Sequence, residues 1–119
     1  MTVLAARHAG ASEIVVSDIL DKPLEFARSI GASHTINVAS DPEALLPEEA
    51  HKGQFDVIFE AAGQASTIAA ALKLVRPKGT VVLLGQGAVA TLPVTTVVTK
   101  EIMLRAAFAS HRSLRRRRN

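Results

Sequence analysis

Residues 55–87, FDVIFEAAGQASTIAAALKLVRPKGTVVLLGQG, hold the pattern that decides the fold. Phe55 to Glu60, FDVIFE, is a short apolar run that reads as a buried strand, and Ala65 to Val75, rich in alanine and leucine, reads as a helix. Pro77, Lys78 and Gly79 then turn the chain into Thr80 to Leu84, TVVLL, a second buried strand. Two such strands with a helix between them are parallel, because the connection must cross back over a sheet face before the next strand can start.

The same alternation runs upstream. Glu13 to Asp18, EIVVSD, is a β-branched run bounded by polar residues and is predicted to be a strand. Asp21 is placed to cap the next helix and Pro23 suits its first turn, while Leu24, Ala27 and Ile30 form the apolar stripe and Gly31 supplies a left-handed stop. A short strand is predicted from His34 to Val38, and the acidic stretch from Asp41 to Lys52 reads as a loop with a weak surface helix. Residues 2–9, TVLAARHA, ending at Gly10, read as the last two turns of a helix, so the chain is expected to start inside an element. The order β, α, β, α, β with continuous apolar strands predicts an α/β fold, a doubly wound parallel sheet with helices on both faces.

Charge and composition bound the function. The 119 residues carry a net charge of +3, but six arginines and no acids lie from Arg105 onward. Residues 1–104 carry eight basic and eleven acidic side chains, so the sequence pI of about 9.8 belongs to the tail and does not mark a basic surface on the body. The chain contains no cysteine, which excludes disulfides and thiolate metal sites and suits a reducing compartment. No apolar run reaches membrane-spanning length and no secretory leader stands at the front, so a soluble cytoplasmic protein without a membrane partner is expected. His8, His34, His51 and His111 show no paired metal-ligand spacing.

In an open parallel sheet, ligands bind at the carboxyl ends of the strands. Asp18 ends the first strand; Ala61, Ala62 and Gly63 follow the second long one; Gly85, Gln86 and Gly87 follow the third. An acid ending the second strand of a dinucleotide fold accepts hydrogen bonds from the adenosine ribose and repels a 2′-phosphate, which favours NAD over NADP. A strand-end aspartate also serves as a cap or turn residue, and glycines at such positions also serve turns; both readings stay open here. A G-x-G-x-x-G phosphate loop is expected about 20 residues before such an acid, and counting back from Asp18 runs off the front of the chain. Gly10 is no substitute, since it follows a predicted helix rather than opening one toward a pyrophosphate.

Three segments carry a family resemblance: LAARHAGASEIVVSDILDKPLEFARSIGASHTIN, FDVIFEAAGQASTIAAALKLVRPKGTVVLLGQG and VVTKEIMLR. In their order and spacing they resemble the medium-chain, zinc-containing alcohol and polyol dehydrogenases, especially the sorbitol and L-idonate 5-dehydrogenase branch. The resemblance implies a Rossmann-like domain that binds NAD, or less favourably NADP, incomplete here because the first strand and its phosphate loop are missing. It also implies a separate GroES-like domain, absent from this chain, that carries the catalytic zinc and the substrate site. Carried over by position, Asp18 would hold the adenosine ribose. Lys22 lies one residue before the family's usual basic position, which Pro23 occupies here. Ala61 and Gly63 would line the cofactor, Gly63 beside its adenosine half, and Leu84 and Gly85 would offer backbone groups to the nicotinamide. The implied reaction is hydride transfer to or from a polyol or sugar acid. No catalytic or metal residue is expected in this chain, which alone is expected to be inactive and to bind a dinucleotide weakly if at all.

Family members usually continue after an LRG motif with F-R-F and a spaced E-F, whereas this chain reads LRAAFASHRSLRRRRN. Codons can be chosen for that tail so that restoring one G gives RGGFRFPSEFASAAE, which has the family pattern. Residues 1–104 are therefore read as a partial dinucleotide-binding domain and residues 105–119 as a basic tail, disordered or coded out of frame. Clustered arginines could instead contact nucleic acid, but only Phe108 offers stacking and the acidic body opposes a polyanion. In the 3-2-1-4-5-6 strand order a missing first strand separates the Asp18 strand from the later ones and leaves strand edges open to self-association.

Overall fold

A computed structural model describes residues 9–85 and 89–107. The elements in order are β1 (Val15–Asp18), α1 (Asp21–Ser29), β2 (His34–Asn37), a 3₁₀ segment (Leu46–Lys52), β3 (Phe55–Glu60), α2 (Ala65–Leu74), β4 (Val75–Leu83), α3 (Val94–Thr99) and β5 (Met103–Ala106). Among the described residues all strand pairings are parallel, in two sheets, β1–β2 and β3–β4–β5. The chain divides between Pro47 and Glu48 into two compact units. The expected α/β parallel fold is present, and among the described residues the strand that ends in Asp18 pairs only with β2.

In the first unit β1 and β2 run in register from Val15 opposite His34 to Asp18 opposite Asn37. Helix α1 buries Leu24 and Ala27, three residues apart on one face, and exposes the residues between them. Pro23 sits in the first turn, where a missing N–H costs nothing. The expected cap is not made by Asp21. The N-cap is Leu20, without a side-chain cap, while Asp18 Oδ1 accepts hydrogen bonds from the amides of Ile19 (2.7 Å) and Leu20 (3.2 Å), and Asp21 instead accepts one from Asn37 Nδ2 at 2.8 Å. Asp18 outcompetes Asp21 because its carboxylate stands two residues before the chain turns, the spacing of an Asx turn.

In the second unit the core is Ala71, Leu72, Val75, Val81 and Ile102, with Ile58, Ile68, Leu83, Val97 and Leu104 packed around it. Alternation explains the membership. Ile58 stands opposite Val81 and Val81 opposite Leu104, so one sheet face is apolar and helix α2 covers it. The other face carries Val57, Phe59 and Met103, which stay 48%, 42% and 55% exposed. Helix α2 ends one residue earlier than expected, at Leu74, because Val75 already pairs with Phe55. Arg76 to Gly79 then loop out before Thr80 pairs with Val57, with Pro77 unable to donate and Lys78 left-handed at φ 64°.

Two elements were not legible beforehand. Val94–Thr99, VTTVVT, is β-branched yet helical, since Val97 gains core contact that outweighs weak propensity. Met103–Ala106 forms β5, and the Ala107 amide bonds Leu83 O at 3.1 Å. Ordered sheet therefore crosses the expected domain limit at residue 104, and Arg105 and Ala106 belong to a strand rather than to a tail. The helix expected over residues 2–9 falls, but for Ala9, outside the described residues, as do residues 108–119. Lys100, buried just before β5, donates from Nζ to the carbonyls of Leu72 (2.7 Å) and Lys73 (3.4 Å) and so closes the C-terminus of α2.

Candidate functional site: the strand-end turns

At the carboxyl ends of β3 and β4, one buried residue organises everything around it. Glu60 closes β3 with only 5% of its surface exposed. A buried carboxyl group must be hydrogen-bonded, and this one is. Its Oε1 accepts from the amides of Ala62 (2.8 Å) and Gly63 (2.9 Å) and from Thr67 Oγ1 (2.8 Å), and its Oε2 accepts from Gly63 at 3.1 Å. Its main-chain oxygen accepts from the amides of Leu84 (2.8 Å) and Gly85 (3.1 Å). The turn after β3 and the residues after β4 are thus tied to a single amino acid.

Both glycines answer to this arrangement. Gly63 has φ 70°, where a side chain is strained. A Cβ on Gly85 would lie 2.2 Å from Gly63 N, 2.6 Å from Gly63 Cα and 2.8 Å from Ala62 C. The close approach that requires glycine at 85 is therefore made by the protein's own turn. Among the described residues the structure brings Ala61, Gly63, Leu84 and Gly85 together, with the amides of Gly63, Leu84 and Gly85 turned inward onto Glu60.

Asp18 and Lys22 lie in the other unit. Asp18 is partly buried at the end of β1, with Oδ1 occupied by its own turn and Oδ2 engaged by none of the described residues. Lys22 is exposed in the first turn of α1. Gln86 and Gly87 fall outside the described residues. Glu60 and Thr67 were missed in the sequence. The available signal was an acid ending an apolar strand directly before a turn of small residues, where burial forces partners.

The sequence profile of the family described as "Zinc-binding dehydrogenase" matches residues 1–117. The chain belongs to that family. As a zinc-binding dehydrogenase it is 36% identical over 109 residues to L-idonate 5-dehydrogenase (NAD(P)(+)) of Escherichia coli K12, covering 91% of this chain and 31% of the relative. A solved structure of L-idonate 5-dehydrogenase from E. coli K-12 superposes with a TM-score of 0.83 at 36% identity, over 90% of this chain and 31% of that one. L-threonine 3-dehydrogenase of Anaeromyxobacter sp. strain K is 38% identical over 86 residues (71% of this chain, 25% of the relative). D-xylulose reductase of Saccharomyces cerevisiae is 30% identical over 105 residues (83% and 30%). This zinc-binding dehydrogenase chain thus spans about a third or less of the length of the curated relatives it matches. The family profile runs past Arg105, where the resemblance was expected to stop.

The family name implies zinc. Among the described residues no three His, Cys, Asp or Glu side chains converge into a set that could hold a metal ion. Those residues do not fit zinc, and no step is derived through it. Among the described residues no helix is long and apolar enough to cross a membrane.

Proposed function

We propose that the chain is part of the dinucleotide-binding region of an NAD(P)-dependent dehydrogenase, one that moves a hydride between the nicotinamide and a polyol or sugar acid of the L-idonate or sorbitol type in the cytoplasm. The 119 residues alone catalyse nothing in this reading; any zinc of a complete parent would be held elsewhere. One observation carries the proposal: two strand-end segments, Ala61–Gly63 and Leu84–Gly85, are tied edge to edge at the carboxyl ends of adjacent parallel strands, the ligand side of an open α/β sheet. The likeness to L-idonate 5-dehydrogenase (NAD(P)(+)) supports the chemistry.

In this reading Leu84 and Gly85 present carbonyl oxygens to the carboxamide N–H of the nicotinamide, since their amides are already spent on Glu60. Ala61 and Gly63 flank the dinucleotide, and Asp18 accepts the ribose hydroxyls through its Oδ2, which disfavours a 2′-phosphate and selects NAD over NADP. Lys22 contributes charge near that ribose from the first turn of α1. These 119 residues contain no G-x-G-x-x-G, so by themselves they would bind the dinucleotide weakly.

NADH fluorescence titration tests this. The expected dissociation constant is on the order of millimolar, about −4 kcal/mol. Saturable micromolar capture would contradict the proposed weakness, and tighter binding of NADPH than NADH would remove the role given to Asp18.

A further inference from the structure

We infer that Glu60 is a positioning residue for the dinucleotide edge, setting which backbone groups of Ala61–Gly63 and Leu84–Gly85 a cofactor can meet; this rests on the proposed binding reading and extends it. An isolated carboxyl group buried at a strand end costs free energy, so its retention must be balanced by the bonds it makes. Those bonds all go to the two segments of the edge or to α2. Two turn amides and the Thr67 hydroxyl bind the side chain, and two amides after β4 bind the main-chain oxygen.

The arrangement does more than fill hydrogen-bonding capacity. The Glu60 side chain occupies the amides of Ala62 and Gly63, while its main-chain oxygen, a bond any residue here would supply, occupies those of Leu84 and Gly85, so none of these four donors is open to a cofactor or an anion. Thr67 links the same carboxyl group to the first turn of α2, and its hydroxyl also reaches Gln64 O at 2.9 Å, so the turn cannot swing independently of the helix. Gly85 pressed against Gly63 leaves no slack between the two segments.

The test compares the whole chain with Glu60→Ala and Glu60→Gln by amide hydrogen exchange and by NADH-induced amide shifts. Glutamine keeps an oxygen where Oε1 stands, so it should restore what alanine loses. With Ala, exchange at the Ala62 and Gly63 amides rises by roughly tenfold or more, as expected for losing hydrogen bonds to a buried acceptor, and NADH shifts at Ala61, Gly63 and Gly85 disappear. With Gln, both return toward wild type. Should Glu60→Ala fail to fold, Thr67→Val gives the second reading: it removes one of the donors to Oε1 and should weaken the NADH shifts at Gly63 without unfolding α2. NADH shifts of wild-type size in the alanine variant, or in Thr67→Val with Gly63 unaltered, overturn the positioning role alone. Absence of NADH shifts at these amides in the wild-type chain overturns the binding reading and the inference with it.

Discussion

Gly85→Ala isolates the contact between the two strand-end segments. Gly85 does not have a positive φ, so alanine meets no backbone penalty there and the whole effect is steric. The added Cβ would stand 2.2 Å from Gly63 N, 2.6 Å from Gly63 Cα and 2.8 Å from Ala62 C, against contacts near 3.5–4 Å for comfortable packing. All three atoms are backbone, and both residues they belong to, Ala62 and Gly63, are held by Glu60. No side chain can rotate away, so relief requires the turn to move and its bonds to Glu60 to lengthen. Overpacking costs about 1–3 kcal/mol, and this site lies at the upper end because its neighbours cannot yield. For a domain of this size that is a fall in melting temperature on the order of 10–20 °C. Denaturant unfolding followed by circular dichroism measures the loss, and the Gly63 amide resonance reports the displaced turn. A change under about 0.5 kcal/mol with an unmoved Gly63 amide would refute the reasoning, since it would mean the segments are not in contact.

Three further outcomes follow from the packing and charge. Leu72 is fully buried under the β3–β4–β5 sheet, so Leu72→Ala should cost about 2–5 kcal/mol by denaturant unfolding, enough to unfold a marginal unit. Burial holds the Lys100 amine below its ordinary value of 10.5. The unfolded chain therefore binds the proton more tightly than the folded one, and stability rises with pH between the folded value and 10.5, a slope that Lys100→Met should abolish in unfolding curves taken across alkaline pH. Val57, Phe59 and Met103 leave one apolar face of the second unit half-exposed and, among the described residues, β3 is paired on one side only, so the chain should self-associate. Sedimentation should show mass rising with concentration and Phe59→Lys reducing it; a dilute, monodisperse monomer with a sharp melt would count against that.

Periodicity carried most of the architecture, because buried parallel strands and an alanine-rich crossover leave strong local signatures: FDVIFE and TVVLL both became strands and Ala65 to Leu74 a helix. What escaped was set by distant contacts. VTTVVT has every local preference of a strand, and only the core that Val97 reaches makes it a helix. Asp18 and Asp21 are equivalent as cap candidates by type, and the backbone turn that chooses between them is not written in either residue. Ala61, Gly63, Leu84 and Gly85 could be singled out because strand ends are legible, and the structure brings those two strand-end turns together. Glu60 was not singled out, since a strand-terminal acid looks solvent-facing until the turn that buries it is seen.

Intermolecular nuclear Overhauser contacts between NADH and the isotope-labelled chain, taken at millimolar cofactor, test the central claim most directly. The account expects nicotinamide protons to contact Leu84 and Gly85 and the rest of the dinucleotide to contact Ala61 and Gly63. Contacts confined to other surfaces, or none at these four residues once NADH is saturating, would contradict it.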